Sequence, residues 1–270
     1  MHWSLPLPIR MEGWLNLYTI HDAIPLIHPE LTPMNGKHYG RLLSRLIANA
    51  DHIVTVSEQA RADIRMAIGC DSNRISNCGI AVQPADPDGA ALPFNLRTGR
   101  FLLFIGSDDP RKNVERLVQA YQLADCTMPL LLVGPHAGFI DEQTGIFCLP
   151  SDQSASYLST LITQARALLL PSLAEGFGLP IVEAMALGTA TLSSDRGAMA
   201  EIAGGASLSV SPDDVSKIAE GIRRLVRDDD LVARLIHLGQ MRAAAFSPDN
   251  FAKRLHALYG ALLPRLAETR

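Results

Sequence analysis

The sequence predicts a doubly wound α/β fold. Apolar runs of strand length alternate with helical patterns from end to end. Most of those runs are continuously apolar rather than alternating, as parallel strands covered on both faces require. The size agrees: 270 residues with 47% apolar content bound the chain to between one and two domains with a sizeable core.

The strand candidates are Leu15–Ile20, His52–Ser57, Arg74–Cys78, Phe101–Gly106, Leu130–Gly134, Ile146–Leu149, Ala167–Leu170, Ala190–Ser193 and Ala206–Val210. Helical patterns fill the gaps, for example His38–Ala50, Glu58–Ile68, Asn113–Leu123 and Val215–Arg227. The pattern breaks once. Residues 83–100 (QPADPDGAALPFNLRTGR) hold three prolines, two aspartates and two glycines without a period, and read as a linker. Residues 1–82 then hold about three strands, too few for a doubly wound domain, whereas 101–246 hold six, a complete Rossmann-like domain. In the tail, 247–270, Ser247 and Pro248 suit a helix N-cap and first position, followed by apolar Phe251, Leu255, Leu258, Tyr259 and Leu262.

Composition excludes several classes. Charged residues are 19% and the net charge is −4, so the chain is not disordered. With 24 Lys+Arg against 28 Asp+Glu it is no basic nucleic-acid binder. No run reaches the roughly 20 apolar residues that cross a bilayer. The start, MHWSLPLPIR, lacks a charged lead-in followed by an apolar core, so no secretory signal is read there. Cys70, Cys78, Cys126 and Cys148 form no CxxC pair and read as reduced thiols of a cytoplasmic protein, without zinc-ligand spacing.

The stretch ALLLPSLAEGFGLPIVEAMALGTATLSSD, 167–195, carries the chemistry. A buried strand ends at Pro171, a loop holds Glu175, Gly176 and Gly178, and a helix begins near Pro180. In open α/β sheets ligands bind beyond the carboxyl ends of strands, where this loop must lie. Glycines admit a ligand close to the backbone. The N–H groups of Gly178, Leu179 and Ile181 at the helix start, with the helix dipole, favour an anion such as a phosphate. Glu175 on the loop and Glu183, expected in the first helical turn, suit the paired hydroxyls of a sugar or ribose.

EGFGLPIVE resembles the E-x7-E motif of the GT-B retaining glycosyltransferases often called family 4, and LPSLAEGFGLPIVEAMALGTA resembles it throughout. The resemblance implies Glu175 on the sugar hydroxyls and Glu183 on the ribose. It implies backbone groups of Gly176, Phe177, Gly178 and Leu179 along the sugar and diphosphate. FLLFIGSDDPRKN, 101–113, is a second similar element. Its two adjacent cations at an expected helix start oppose the helix dipole, which itself argues for an anion nearby. The resemblance makes Arg111 and Lys112 the diphosphate clamps. Many members carry an arginine right after the strand's glycine, where this chain has Ser107. Either Arg111 takes its place or the diphosphate is held less tightly.

YTIHDAIPLIHPE, 18–30, is similar to the family's strand–HD element, which implies His21 as an active-site residue beside the anomeric carbon, with Asp22 next to it. IVTVSEQARADI (53–64), where Ser57 caps a helix, and EIAGGASLSVSPDD (201–214) also resemble family segments. The resemblance further implies that 1–82 is the acceptor-side part, 101–246 the nucleotide-sugar-binding part, and that the 247–270 helix packs back on the N-terminal part. It implies that the chain lacks the first part of the N-terminal domain.

The rival class is an NAD-dependent oxidoreductase. Gly176-x-Gly178 opens a helix after a strand, and Asp195 follows about 20 residues later. The third small residue of that fingerprint is replaced by bulky Ile181, against close helix–strand packing. No P-loop is present. A second alternative is a truncated, inactive nucleotide-sugar-binding fragment.

The resemblance thus implies transfer of a hexose, with mannose from GDP-mannose the first expectation. The donor is a nucleotide-diphosphate sugar and the anomeric configuration is retained. No metal or other cofactor is expected, since Arg111, Lys112 and the helix N-terminus take the diphosphate charge. The acceptor expected is a saccharide or lipid-linked saccharide of surface polysaccharide synthesis, with no nucleic-acid partner. The location expected is the cytoplasm, with peripheral contact at the inner membrane face, although no basic amphipathic anchor is visible. An absent first part would leave Leu15–Ile20 as an apolar edge strand open to self-association.

Overall fold

The structure, a computed structural model, describes residues 1–134 and 143–264. Residues 265–270 of the expected tail helix lie outside this set. The chain forms two compact units. The first comprises Met1–Ala81, Glu175–Phe177 and the chain from Phe246 on; the second comprises Val82–Ala174 and Gly178–Ala245.

In the first unit, strands β1 (His2–Trp3), β2 (Leu17–Thr19), β3 (His52–Thr55) and β4 (Ile75–Asn77) form a parallel sheet in that order. Helices α1 (Ile24–Ile27) and α2 (Gly36–Asn49) link β2 to β3, and α3 (Glu58–Ile68) links β3 to β4. Ser57 caps α3 at its start, and Gly69 ends it at φ +73°, a left-handed conformation that glycine adopts without a Cβ penalty. The core is Tyr18, Ile20, Leu43, Leu46, Ile53, Ile64 and Ile75.

The second unit holds β5 (Leu102–Ile105), β6 (Leu130–Val133), β7 (Ile146–Leu149), β8 (Ala167–Leu170), β9 (Ala190–Ser194) and β10 (Leu208–Val210). All pair in parallel, in the order β10-β9-β8-β5-β6-β7. Its helices are α4 (Val114–Ala124), α5 (Ala155–Gln164), α6 (Leu179–Ala186), α7 (Gly197–Ala203), α8 (Val215–Arg227) and α9 (Asp229–Ala243). The order runs outward in both directions from β5 and β8, so the topological switch point lies between those two strands. Phe101 to Phe104 and Leu168 to Leu170 are fully buried, as a central strand pair covered on both faces demands.

The last helix, α10 (Pro248–Leu262), belongs to the first unit. Phe251, Leu255, Leu258 and Leu262 pack with Leu17, Val54 and Cys78, and the Arg254 guanidinium donates to the Cys78 carbonyl at 2.6 Å.

All six strands expected after residue 100 are present, but the first unit has four where three were expected. The missed strand corrects a second expectation. His2–Trp3 pairs with Leu17 and Tyr18, so β2 is an interior strand, not an open apolar edge. A two-residue strand carries no readable period, which is why it escapes sequence analysis. The 83–100 segment, read as a linker, is fastened along the second unit. The Gly99 N–H donates to the Gln164 carbonyl at 2.8 Å, Thr160 Oγ1 to Asp88 at 2.7 Å, and Phe94 stacks on Phe147.

Leu103 pairs with Leu131 on one side and Leu168 on the other, with no exposed surface. Leu103→Ala is expected to destabilise the protein by about 2–5 kcal/mol through lost burial and a residual cavity, measured by urea denaturation.

Candidate active site

The switch point of the second unit sets its site. Because β5 and β8 are neighbours, the loop leaving β5 and the loop leaving β8 emerge side by side at their carboxyl ends. Hydrogen bonds join them. The Leu173 N–H donates to the Arg111 carbonyl at 2.7 Å. Asn113, at φ +62°, donates its side-chain amide to the carbonyls of Pro171 at 2.9 Å and Pro212 at 2.7 Å. Asn tolerates this left-handed backbone better than other side chains, a signal present in the PRKN sequence but not read from it.

Arg111 and Lys112 do not start an α-helix. They lie in the 3₁₀ turn Pro110–Lys112, and α4 begins only at Val114 with Asn113 as its N-cap. Neither is a freely solvated cation. Arg111 Nε lies 3.4 Å from the Asp109 carboxylate, and Lys112 is buried beside Gly106. An Arg held by a carboxylate and a Lys with its stem desolvated are oriented charges rather than mobile ones.

On the second loop, Gly178 is the N-cap of α6 at φ +93°, and a Cβ there would lie 2.6 Å from Met199 Sδ. This N-cap corrects two expectations. The Ile181 N–H is not free, because it donates to the Gly178 carbonyl at 3.0 Å. Glu183 is the fifth residue of α6, beyond the first turn, so it does not serve the helix N-terminus. Leu179 is the first helical residue, and Pro180, the second, has no N–H. The Glu183 side chain is half-buried, and among the described residues it has no hydrogen-bond or ion-pair partner. Burial alone pushes its carboxyl above the ordinary range.

The remaining candidates gather in the first unit. Glu175, Gly176 and Phe177 belong to it, although the chain on either side belongs to the second. Gly176 sits against the end of the β2 segment: a Cβ there would lie 2.4 Å from the His21 carbonyl oxygen and 3.0 Å from Asp22 Cβ. Only glycine permits that approach. The Phe177 ring meets Phe246 edge-on at 5.3 Å, an anchor not anticipated from sequence. Glu175 is half-buried in the same segment. His21 is exposed, with Nε2 3.2 Å from the Ser4 carbonyl. Asp22 accepts the Ile24 N–H at 3.0 Å and so opens α1, while its carbonyl accepts the Tyr39 hydroxyl at 3.0 Å. Burial, and then the charge of Asp22, hold that hydroxyl far above its ordinary pKa. The structure therefore groups His21 and Asp22 with Glu175, Gly176 and Phe177, and Arg111 and Lys112 with Gly178, Leu179 and Glu183. Among the described residues, no group of three or more His, Cys, Asp or Glu is placed to hold a metal ion.

The glycosyl transferases group 1 family model matches residues 94–242, more than half of the chain. The chain belongs to this family. It is 30% identical over 266 residues to O-antigen chain mannosyltransferase B of Escherichia coli, a match covering 90% of this chain and 69% of that protein. The serotype-specific mannosyltransferase WbdA of Escherichia coli is 25% identical, across 99% of this chain but 36% of its own length. O-antigen chain mannosyltransferase RfbU of Salmonella typhimurium is 24% identical, across 86% of this chain and 65% of its own. Among solved structures, sucrose-phosphate synthase from Thermosynechococcus elongatus superposes with a TM-score of 0.76 at 23% identity, covering 93% of this chain and 69% of that one. These likenesses establish the GT-B fold and the glycosyltransferase class. The nicotinamide alternative finds no support here, and Ile181, which breaks its fingerprint, is 1% exposed.

Two outcomes are expected. Gly176→Ala must push either the loop or the His21 backbone aside, a cost of about 1–3 kcal/mol in a thermal or urea melt. The second concerns pH. The folded protein binds the Glu183 proton more tightly than the unfolded chain does, so Glu183 lowers stability as pH rises from the ordinary glutamate pKa through the raised one. Glu183→Gln is expected to melt higher than the wild-type protein at pH 7, with the difference vanishing below the ordinary glutamate pKa. An equal difference at both ends would contradict this.

Proposed function

We propose that the chain transfers a hexose, mannose in the first instance, from a nucleotide-diphosphate sugar to a saccharide or lipid-linked saccharide of a surface polysaccharide, with retention at the anomeric carbon. The observation that carries this reading is Glu183, a half-buried carboxylate with no protein partner among the described residues, eight positions after Glu175. Folding gains nothing from such a group. A carboxylate in this state is suited to accept hydrogen bonds from the paired hydroxyls of a ribose.

The other candidates take roles by the same chemistry. Arg111 and Lys112 meet the diphosphate and stabilise the charge of the leaving group, together with the backbone at Gly178 and Leu179. Glu175 accepts from the sugar hydroxyls, with the backbone of Gly176 and Phe177 beside them. His21 and Asp22 face the transferred sugar. Charge on the departing diphosphate is thereby met by this chain's own cations, and the reading calls on no metal. The names of the mannosyltransferase relatives support mannose as the transferred sugar and an O-antigen-type saccharide as acceptor, and GDP-mannose is the donor proposed with them. Work at the cytoplasmic face of a membrane follows from such an acceptor. Among the described residues, no helix is long and apolar enough to cross a membrane.

Calorimetry with GDP, UDP and NAD tests the donor class. One nucleoside diphosphate is expected to bind in the micromolar range, about −8 kcal/mol. Glu183→Ala and Arg111→Ala are each expected to weaken it at least tenfold, about 1.4 kcal/mol. Binding of NAD without either nucleoside diphosphate would overturn the reading.

A further inference from the structure

Ser57 has a second bond that helix capping does not account for. Its side chain is fully buried. Oγ accepts the Ala60 N–H at 3.0 Å, the ordinary N-cap bond of α3. The one proton of the same hydroxyl goes to the Gly176 carbonyl, at 2.7 Å. Gly176 is the residue after Glu175, and its α-carbon is already pressed against the His21 carbonyl. The next residue, Phe177, is fixed by the buried ring of Phe246. Three consecutive points thus hold the segment: a hydroxyl on its carbonyl, a carbonyl against its α-carbon, and a ring against its ring.

Capping alone does not select serine. Asp, Asn and Thr cap as well or nearly so. An ionised Asp, however, has no proton to donate. The bond to Gly176 is therefore separable from the cap by substitution.

We propose that Ser57 is a positioning residue for the Glu175 carboxylate, acting through the Gly176 carbonyl. The proposal rests on the reading above that Glu175 contacts the donor sugar. Ser57 touches no substrate. It fixes the Gly176–Phe177 peptide, and with the Gly176 backbone held against the His21 carbonyl this sets the course of the chain on which Glu175 is carried.

Hydrogen–deuterium exchange and calorimetry on the whole chain test this together. Ser57→Asp keeps the cap and removes the donor. Exchange of a peptide spanning residues 173–179 is expected to rise about tenfold or more, while the 58–68 peptide of α3 stays as in the wild-type protein. The ratio of the GDP-mannose Kd to the GDP Kd is expected to rise about tenfold, because only the sugar end loses its partner. Ser57→Thr, which keeps the hydroxyl, should rescue both. Ser57→Ala, free of any buried charge, is the second variant should Ser57→Asp fail to fold, and the loop must loosen in it as well. Loop exchange within about twofold of wild type in both Asp and Ala variants would overturn the proposal. So would a loosened loop with an unchanged Kd ratio, which would make the bond structural only. If the wild-type chain binds neither GDP-mannose nor GDP, the donor reading fails, and the exchange comparison alone decides whether the bond holds the loop.

Discussion

The close approach of Gly176 to the His21 carbonyl is the contact on which the site depends. No side chain fits at position 176, because a Cβ would lie 2.4 Å from that oxygen. The cost of a glycine here is backbone freedom in the unfolded chain. The return is that Glu175, Gly176 and Phe177 become part of the first unit while the flanking chain stays in the second. The two glutamates of the motif are thereby divided: Glu175 belongs with His21, and Glu183 with Arg111 and Lys112.

Sheet order does the corresponding work in the second unit. With β5 beside β8, two loops far apart in sequence leave neighbouring strands. Asn113 then bonds a carbonyl 58 residues away, and Leu173 reaches back to Arg111. These bonds satisfy backbone groups that a ligand-facing loop would otherwise leave unpaired. The result is a pair of loops cross-braced by backbone hydrogen bonds and built on strand ends rather than on one long loop.

Much of this was legible in the sequence, and the reasons are local. The six strands of the second sheet are continuous apolar runs, a signal that survives without any partner in view. The glycine–proline pattern around Gly178 and Pro180 placed the helix start within one residue. What escaped was short or non-local. The strand His2–Trp3 has no period to read. The 3₁₀ turn at Pro110–Lys112 is spelled like a helix start, and only the left-handed Asn113 separates the two. With Gly178 as N-cap and the helix starting at Leu179, Glu183 lies beyond the first turn and the Ile181 N–H is tied up. Ser57 reads as a cap because its cap partner is three residues away, whereas Gly176 is 119 residues away. The first partner lies within a local sequence pattern and the second does not.

The division of the two glutamates is tested most directly by calorimetry that compares GDP with GDP-mannose in two variants. Glu183→Ala is expected to weaken both ligands by a similar factor, since both carry the ribose. Glu175→Ala is expected to weaken GDP-mannose about tenfold while leaving GDP nearly unchanged, since only the former carries the sugar. An equal loss for both ligands in Glu175→Ala would contradict the division.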